Sequence, residues 1–97
     1  MNVKVQRFRK KPVEIEAMQW DGTHESACQI VTWVQSKKHS LTTAHYETDY
    51  MENGAVVIKT LEGDMRANPC DWIIRGVANE FYPCRDDIFR ATYEVVL

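Results

Sequence analysis

Ala55-Val56-Val57-Ile58-Lys59-Thr60-Leu61, then Glu62-Gly63-Asp64, then Met65-Arg66-Ala67, is the stretch that decides the fold. Its β-branched run suits a pleated, half-buried surface, and the glycine-centred tripeptide turns the chain back, so it reads as a β-hairpin. Asn53-Gly54 just before it is a strong turn signal, which makes Asp49 to Gly54 a loop. Upstream, Leu41 to Thr48 is rich in β-branched and aromatic residues and reads as another strand. Downstream, Asn68-Pro69 breaks the run. Short strands follow at Trp72 to Arg75 and Glu80 to Cys84, with a turn at Val77 to Asn79. A single helical turn is expected at Asp87 to Arg90, capped by Asp86, and a closing strand at Thr92 to Val96.

The N-terminal half supplies one more strand and the only long helix of this reading. From Pro12 to Trp20, Val13, Ile15 and Ala17 alternate with Glu14, Glu16 and Met18, the period-two mark of a half-buried strand. Asp21-Gly22 turns the chain. From Glu25 to Lys37, Ala27, Ile30, Val31 and Val34 recur at helical spacing and form one apolar stripe. Thr23 or Ser26 can cap its start, and Ser26 with Gln29 has capping-box spacing. Lys37, Lys38 and His39 sit where the helix dipole favours cations. Together these elements predict an α+β fold: a small, strongly bent antiparallel sheet or partial barrel with one amphipathic helix.

The 97 residues suffice for a single domain, residues 1–97, and 44% of them are hydrophobic, enough for one core. A domain of this size buries only about two-thirds of its unfolded surface, which favours pairing into a homo-oligomer. The formal charge of −2 argues against general nucleic-acid binding. Charge is uneven, however: Lys4, Arg7, Arg9, Lys10 and Lys11 cluster with no acid among them. That arm reads either as a phosphate contact or as a solvated edge whose lysines discourage sheet aggregation. The first eleven residues lack the apolar core of a signal peptide. No apolar run approaches the roughly 20 residues of a membrane helix. Cys28, Cys70 and Cys84, odd in number and widely spaced, do not resemble a secreted disulfide framework. A reducing cytoplasm and no membrane association are the expectation.

Catalytic and metal chemistry find little support in the spacing. His24 and Cys28 share a helix face, but no CxxC-type pair presents two thiolates to a metal, so separate thiols are the simpler reading. Cys84 precedes Arg85, yet no spacing ties it to a histidine base. Asp86 and Asp87 fall at a helix start, where the dipole stabilises anions. The four glycines stand singly at expected turns and form no phosphate loop. The expectation is therefore a protein that is not an enzyme, with no cofactor and no metal.

The aromatic residues are more informative. Trp20, Trp72, Phe81, Tyr82, Phe89 and Tyr93 come from separate elements that can converge. Most such rings belong to cores, but alternation puts Phe81 and Tyr82 on opposite faces, so one face carries an aromatic outside the main core. Arg75 shares a face with Ile73. Arginine and lysine set among aromatics can bind an anionic planar ligand by charge pairing and stacking. The same pattern can anchor a dimer or a host protein. Arg9, Lys10, Lys11, Trp20, Trp72, Arg75 and Tyr82 are the ligand contacts this reading selects.

Two segments carry a family resemblance. Arg9-Lys10-Lys11-Pro12-Val13-Glu14-Ile15-Glu16-Ala17 with Gln19-Trp20-Asp21-Gly22 resembles the opening of a family of small phage and prophage proteins. Leu61-Glu62-Gly63, Asp71 to Val77, Glu80 to Cys84, Asp87-Ile88-Phe89 and Thr92-Tyr93-Glu94 resemble the same family. The likeness spans most of the chain apart from about residues 24 to 54. It implies a phage origin more than any one activity. Small phage proteins often act on host machinery in the host cytoplasm, and some sequester the nucleotide signals of bacterial immunity; others inhibit a host protein or serve as minor structural parts. The chain departs from the pattern at Pro69-Cys70-Asp71, where the family has Pro-Gly-Asp. Glycine there permits a positive φ in the turn, and cysteine makes that conformation costlier.

Overall fold

β-Branched runs and turn residues partition the chain into two helices and six strands among the described residues of a computed structural model, which are 3–37, 42–48 and 54–97. The deciding hairpin forms as its sequence demands. β3 (Gly54–Thr60) pairs antiparallel with β4 (Gly63–Ala67), Thr60 facing Gly63 across a two-residue loop. Thr60 closes that loop by donating its hydroxyl to the Gly63 carbonyl at 2.7 Å and accepting from the Glu62 amide at 3.1 Å. β2 (Thr43–Thr48) flanks β3 on the other side and completes a sheet of order β2-β3-β4. Leu41 and the loop residues 49–53 lie outside the described residues.

A second sheet has the order β1-β5-β6, all antiparallel. β1 is Glu16–Gln19, β5 is Trp72–Arg75 and β6 is Phe81–Cys84. The single bent sheet or partial barrel expected from sequence thus becomes two three-stranded sheets, and no closed barrel forms among the described residues. β4 and β6 lie side by side without pairing. The Asn68-Pro69 break ends β4 before a continuous ladder can form, because proline has no amide hydrogen to donate. β1 is also shorter than expected. Residues 12–15 join no strand, since no neighbouring strand offers them a ladder.

α1 (His24–Gln35) begins at Thr23, whose hydroxyl oxygen accepts from the Ser26 amide at 3.1 Å. Its buried residues are Ala27, Ile30 and Val34, with Val31 half-buried beside them, the stripe read from spacing. No basic residue lies in its last turn. Lys37 falls beyond its end, and Lys38 and His39 lie outside the described residues. α2 (Asp86–Thr92) is longer than the expected single turn. Arg85, not the expected Asp86, occupies its cap position, and it makes no side-chain cap bond because a guanidinium has no acceptor to offer. The strand expected at Thr92 to Val96 does not form: Thr92 ends α2 and the residues after it are unpaired. No helix among the described residues is long and apolar enough to cross a membrane.

The core lies between the sheets and α1. Trp20, fully buried, meets Ala27, Ile30 and Val34 of α1, Val56, Ile58 and Ala67 of one sheet, and Ile73 and Phe81 of the other. Trp33, absent from the predicted stripe, packs edge-on against Phe81 with ring centroids 5.1 Å apart. Asn68-Pro69-Cys70-Asp71 supports this core from behind. The Asp71 amide bonds the Asn68 carbonyl at 3.0 Å, closing a turn in which Cys70 has φ 76°. Gly22, at φ 90°, sits against Pro69 so closely that a Cβ would lie 3.1 Å from the proline ring.

Two predictions follow from this local geometry. The left-handed conformation costs a non-glycine residue about 1–2 kcal/mol, offset in part by the greater unfolded-state freedom of glycine. Cys70→Gly should therefore stabilise the chain by about 1 kcal/mol, seen as a rise of about 4–8 °C in the thermal midpoint. The Asp21 carboxyl accepts from the Ser26 and Thr23 hydroxyls and the Thr23 amide, which hold its pKa down at about 2. A depressed carboxyl stabilises the fold above its ordinary pKa and loses that effect as pH falls toward the folded value. Wild-type stability, followed by circular dichroism, should thus drop between pH 3.8 and about 2 more steeply than that of Asp21→Asn.

Candidate functional site

The alternation of β5 and β6 sorts the predicted contacts onto two faces. Ile74 stands opposite Tyr82, and Trp72 opposite Cys84, so these four share one face. Ile73 and Phe81 point the other way, into the core, and Arg75 follows them to its rim. Arg75 therefore does not share a face with Trp72 or Tyr82.

Trp20 leaves the predicted set first. It is 0% exposed, and its indole N–H donates to the Thr23 carbonyl at 2.8 Å, so no ligand reaches its ring. Trp72 is half-buried and has one face covered by Phe89 of α2, the rings stacked at 4.1 Å and nearly parallel. Its N–H donates to Asp86 at 2.8 Å. That bond first, and the Arg90 guanidinium next, hold the Asp86 carboxyl below its usual range. Trp72 thus docks α2 onto the sheet. Arg75 is not a free cation. It donates to Glu16 and to the Asn79 side chain, each at 2.6 Å, and the guanidinium lowers the Glu16 pKa in return. Arg9 lies on the exposed arm with no hydrogen bond or ion pair among the described residues.

Lys10, Lys11 and Tyr82 are the predicted contacts that do converge. They line one hollow of about 190 Å³ together with Glu80 and Tyr93, over an apolar floor that includes Ile15 and Val77. Lys10 donates to the Tyr93 hydroxyl at 2.7 Å, its ammonium lying 4.1 Å from the ring centroid. This contact anchors the basic arm to the body. Burial, then hydrogen bonding to Tyr93, push the Tyr82 phenol up to about 12.

Glu80 is the candidate residue that sequence reading passed over. The turn after β5 closes with the Gly76 amide on the Glu80 carbonyl at 2.7 Å. This folds the Glu80 carboxylate across Gly76, where no side chain has room. One carboxylate oxygen, Oε2, is buried with no hydrogen-bond partner among the described residues. A buried acceptor left open is costly unless something donates to it. The only sequence signal was the Gly76–Glu80 spacing around a turn. The hollow is therefore lined by two cationic side chains, two phenols and Glu80, whose unpaired Oε2 is buried beneath the surface.

Elsewhere the reactive side chains are dispersed. Cys28 and Cys70 are exposed, and Cys84 is half-buried. Burial first, then Asp71 and Asp87, push the Cys84 thiol up, away from thiolate. His24 stacks on Tyr46 at 4.9 Å instead of meeting Cys28 at a metal. No cluster of three or more His, Cys, Asp or Glu side chains able to hold a metal occurs among the described residues.

Tyr82 makes the electrostatics of the hollow measurable. Its raised pKa favours the folded state fully below pH 10, and that contribution is lost as pH rises toward about 12. Spectrophotometric titration should show one phenol ionising near pH 12, and this step should vanish in Tyr82→Phe.

No protein-family model matches this chain, no curated protein matches it, and no solved structure matches it, so the hollow's own chemistry carries the functional reading.

Proposed function

We propose that this chain is a phage-encoded binding module that sequesters a small anionic nucleotide in the host cytoplasm. One observation carries the reading: Lys10 and Lys11 share a hollow with the phenols of Tyr82 and Tyr93 and with Glu80, whose buried Oε2 has no hydrogen-bond partner among the described residues. A simple anion answers the lysines but not Glu80, which needs a donor. A nucleotide answers both, since its phosphate pairs with ammonium groups and its base edge offers N–H donors. Tyr82 and Tyr93 add hydroxyls and ring edges beside it. The resemblance to small phage proteins supplies the biological setting.

This reading keeps Lys10, Lys11 and Tyr82 as ligand contacts and adds Tyr93 and Glu80. Arg75 and Trp72 serve structure, for the reasons of pairing and stacking given above. The rival reading, a module that grips a host protein through an exposed aromatic patch, finds less support in the ring-bearing strands. Trp20 and Phe81 are enclosed, and Trp72 is covered on one face by Phe89.

Native mass spectrometry of the protein expressed in bacteria, with calorimetry against a panel of linear and cyclic nucleotides, tests the proposal. The wild type should retain or bind one nucleotide. Lys10→Ala/Lys11→Ala should weaken binding about tenfold or more, the scale of losing charge-assisted hydrogen bonds. Glu80→Gln should change the preferred base while leaving phosphate dependence intact. A protein that carries no ligand and binds nothing on the panel would end this reading.

A further inference from the structure

Residues 3–9 stand apart from the body of the protein. They form no helix or strand, and Val3, Val5 and Phe8 are 90%, 101% and 88% exposed. The radius of gyration is 15.3 Å, where a compact chain of this length has about 12–13 Å. The long axis reaches 52 Å. Large apolar side chains gain about 1.5–3 kcal/mol each on full burial, so an arm carrying three of them favours a surface that covers them.

Charge indicates which surface. Three of the 12 Lys and Arg residues, Lys4, Arg7 and Arg9, lie within residues 3–9 with no acid among them, leaving nine against 14 acids on the rest of the chain, a net of −5. The arm and the body of this protein are complementary, so a second copy presents the surface the arm requires. Within the arm, Phe8 is flanked by Arg7 and Arg9. The body carries a matching feature, a hollow of about 460 Å³ between residues 14–16 and the turn after β5. Ile15 and Val77 give it apolar walls, Val77 being 75% exposed, and Glu14 and Glu16 give it an acidic rim. Glu16 is paired with Arg75, while Glu14 has no ion pair among the described residues.

Phe8 is poorly placed to fill the hollow of its own chain. Only Arg9–Val13 separate it from Glu14 on the hollow's wall. Lys10 is pinned to Tyr93, and Pro12 holds the residue before it extended, so the intervening backbone resists folding back. We propose that the arm of one copy seats Phe8 in this hollow of a second copy, with Arg7 and Arg9 on the Glu14 side of its rim. The exchange is reciprocal, so the product is a two-fold homodimer closed by two identical arm contacts. It uses the hollow beside Arg75, which shares Ile15, Gly76 and Val77 with the one beside Lys10, and its test reads association and not nucleotide binding.

Phe8→Asp spoils the arm and Val77→Asp spoils the hollow, both at exposed positions where circular dichroism should remain native. Sedimentation velocity at micromolar concentrations should find the wild type dimeric. Each variant alone should dissociate with a constant raised about tenfold or more. A mixture of the two retains one intact contact, the arm of Val77→Asp in the hollow of Phe8→Asp. Native mass spectrometry should therefore show mixed dimers above the level of either variant alone. A wild type that stays monomeric, variants that dimerise as well as it does, or a mixture without mixed dimers would each overturn the proposal.

Discussion

Trp20 is the fixed point of this structure. Its ring is fully enclosed, and every polar group it carries is satisfied by a different neighbour. Its amide donates to the Asp71 carbonyl at 2.9 Å, its carbonyl accepts from the Cys70 amide at 2.8 Å, and its indole N–H reaches the Thr23 carbonyl. The residue therefore ties the end of β1 to the turn before β5 and to the start of α1. Burying a tryptophan removes about 150–250 Å² from water, worth about 4–6 kcal/mol, a large share of a small domain's stability. The strained Cys70 conformation is tolerated because this clamp and the Pro69–Gly22 contact over-determine it.

From that point the two faces of the β1-β5-β6 sheet divide the work. One face supplies Met18, Ile73 and Phe81 to the core. The other presents Trp72, Ile74 and Tyr82, and is partly covered by the rings of Phe89 and Tyr93. A hollow forms where that cover meets the basic arm. Arg75, one strand position away from Ile74, falls on the opposite side and is drawn into an ion pair with Glu16 at the strand edge. A single-residue step in β5 thus separates the ion-paired Arg75 from the face that carries Ile74 and Tyr82. The two hollows touch, sharing Ile15, Gly76 and Val77, yet their charged linings differ: Glu14, Glu16 and Arg75 in one, Lys10, Lys11 and Glu80 in the other.

Most local structure was readable from residue order. The stripe Ala27, Ile30, Val34, the Thr23 cap, the Thr60–Gly63 hairpin and the β5 strand all depend on neighbours a few residues apart, and spacing reports such neighbours directly. The site was readable only in part. Lys10, Lys11 and Tyr82 were named from charge and alternation, whereas Trp20 was misplaced because a tryptophan before a turn carries no local mark of burial. Glu80 went unnoticed because its distinction, an acceptor oxygen without a donor, exists only once the turn folds it over Gly76.

What the order of residues determined by itself is the α+β class and most of its elements, though not the end of α2 or the absence of a closing strand, since hydrophobic period, turn chemistry and capping act over short range. Tertiary structure alone decided that the strands form two sheets and that Arg75 is held by Glu16. It also decided that a lysine pair, two phenols and a carboxylate from segments some 70 residues apart face one hollow. The physical reason is that pairing, burial and ion contact depend on distance in space, and the chain closes those distances only when the core around Trp20 has formed.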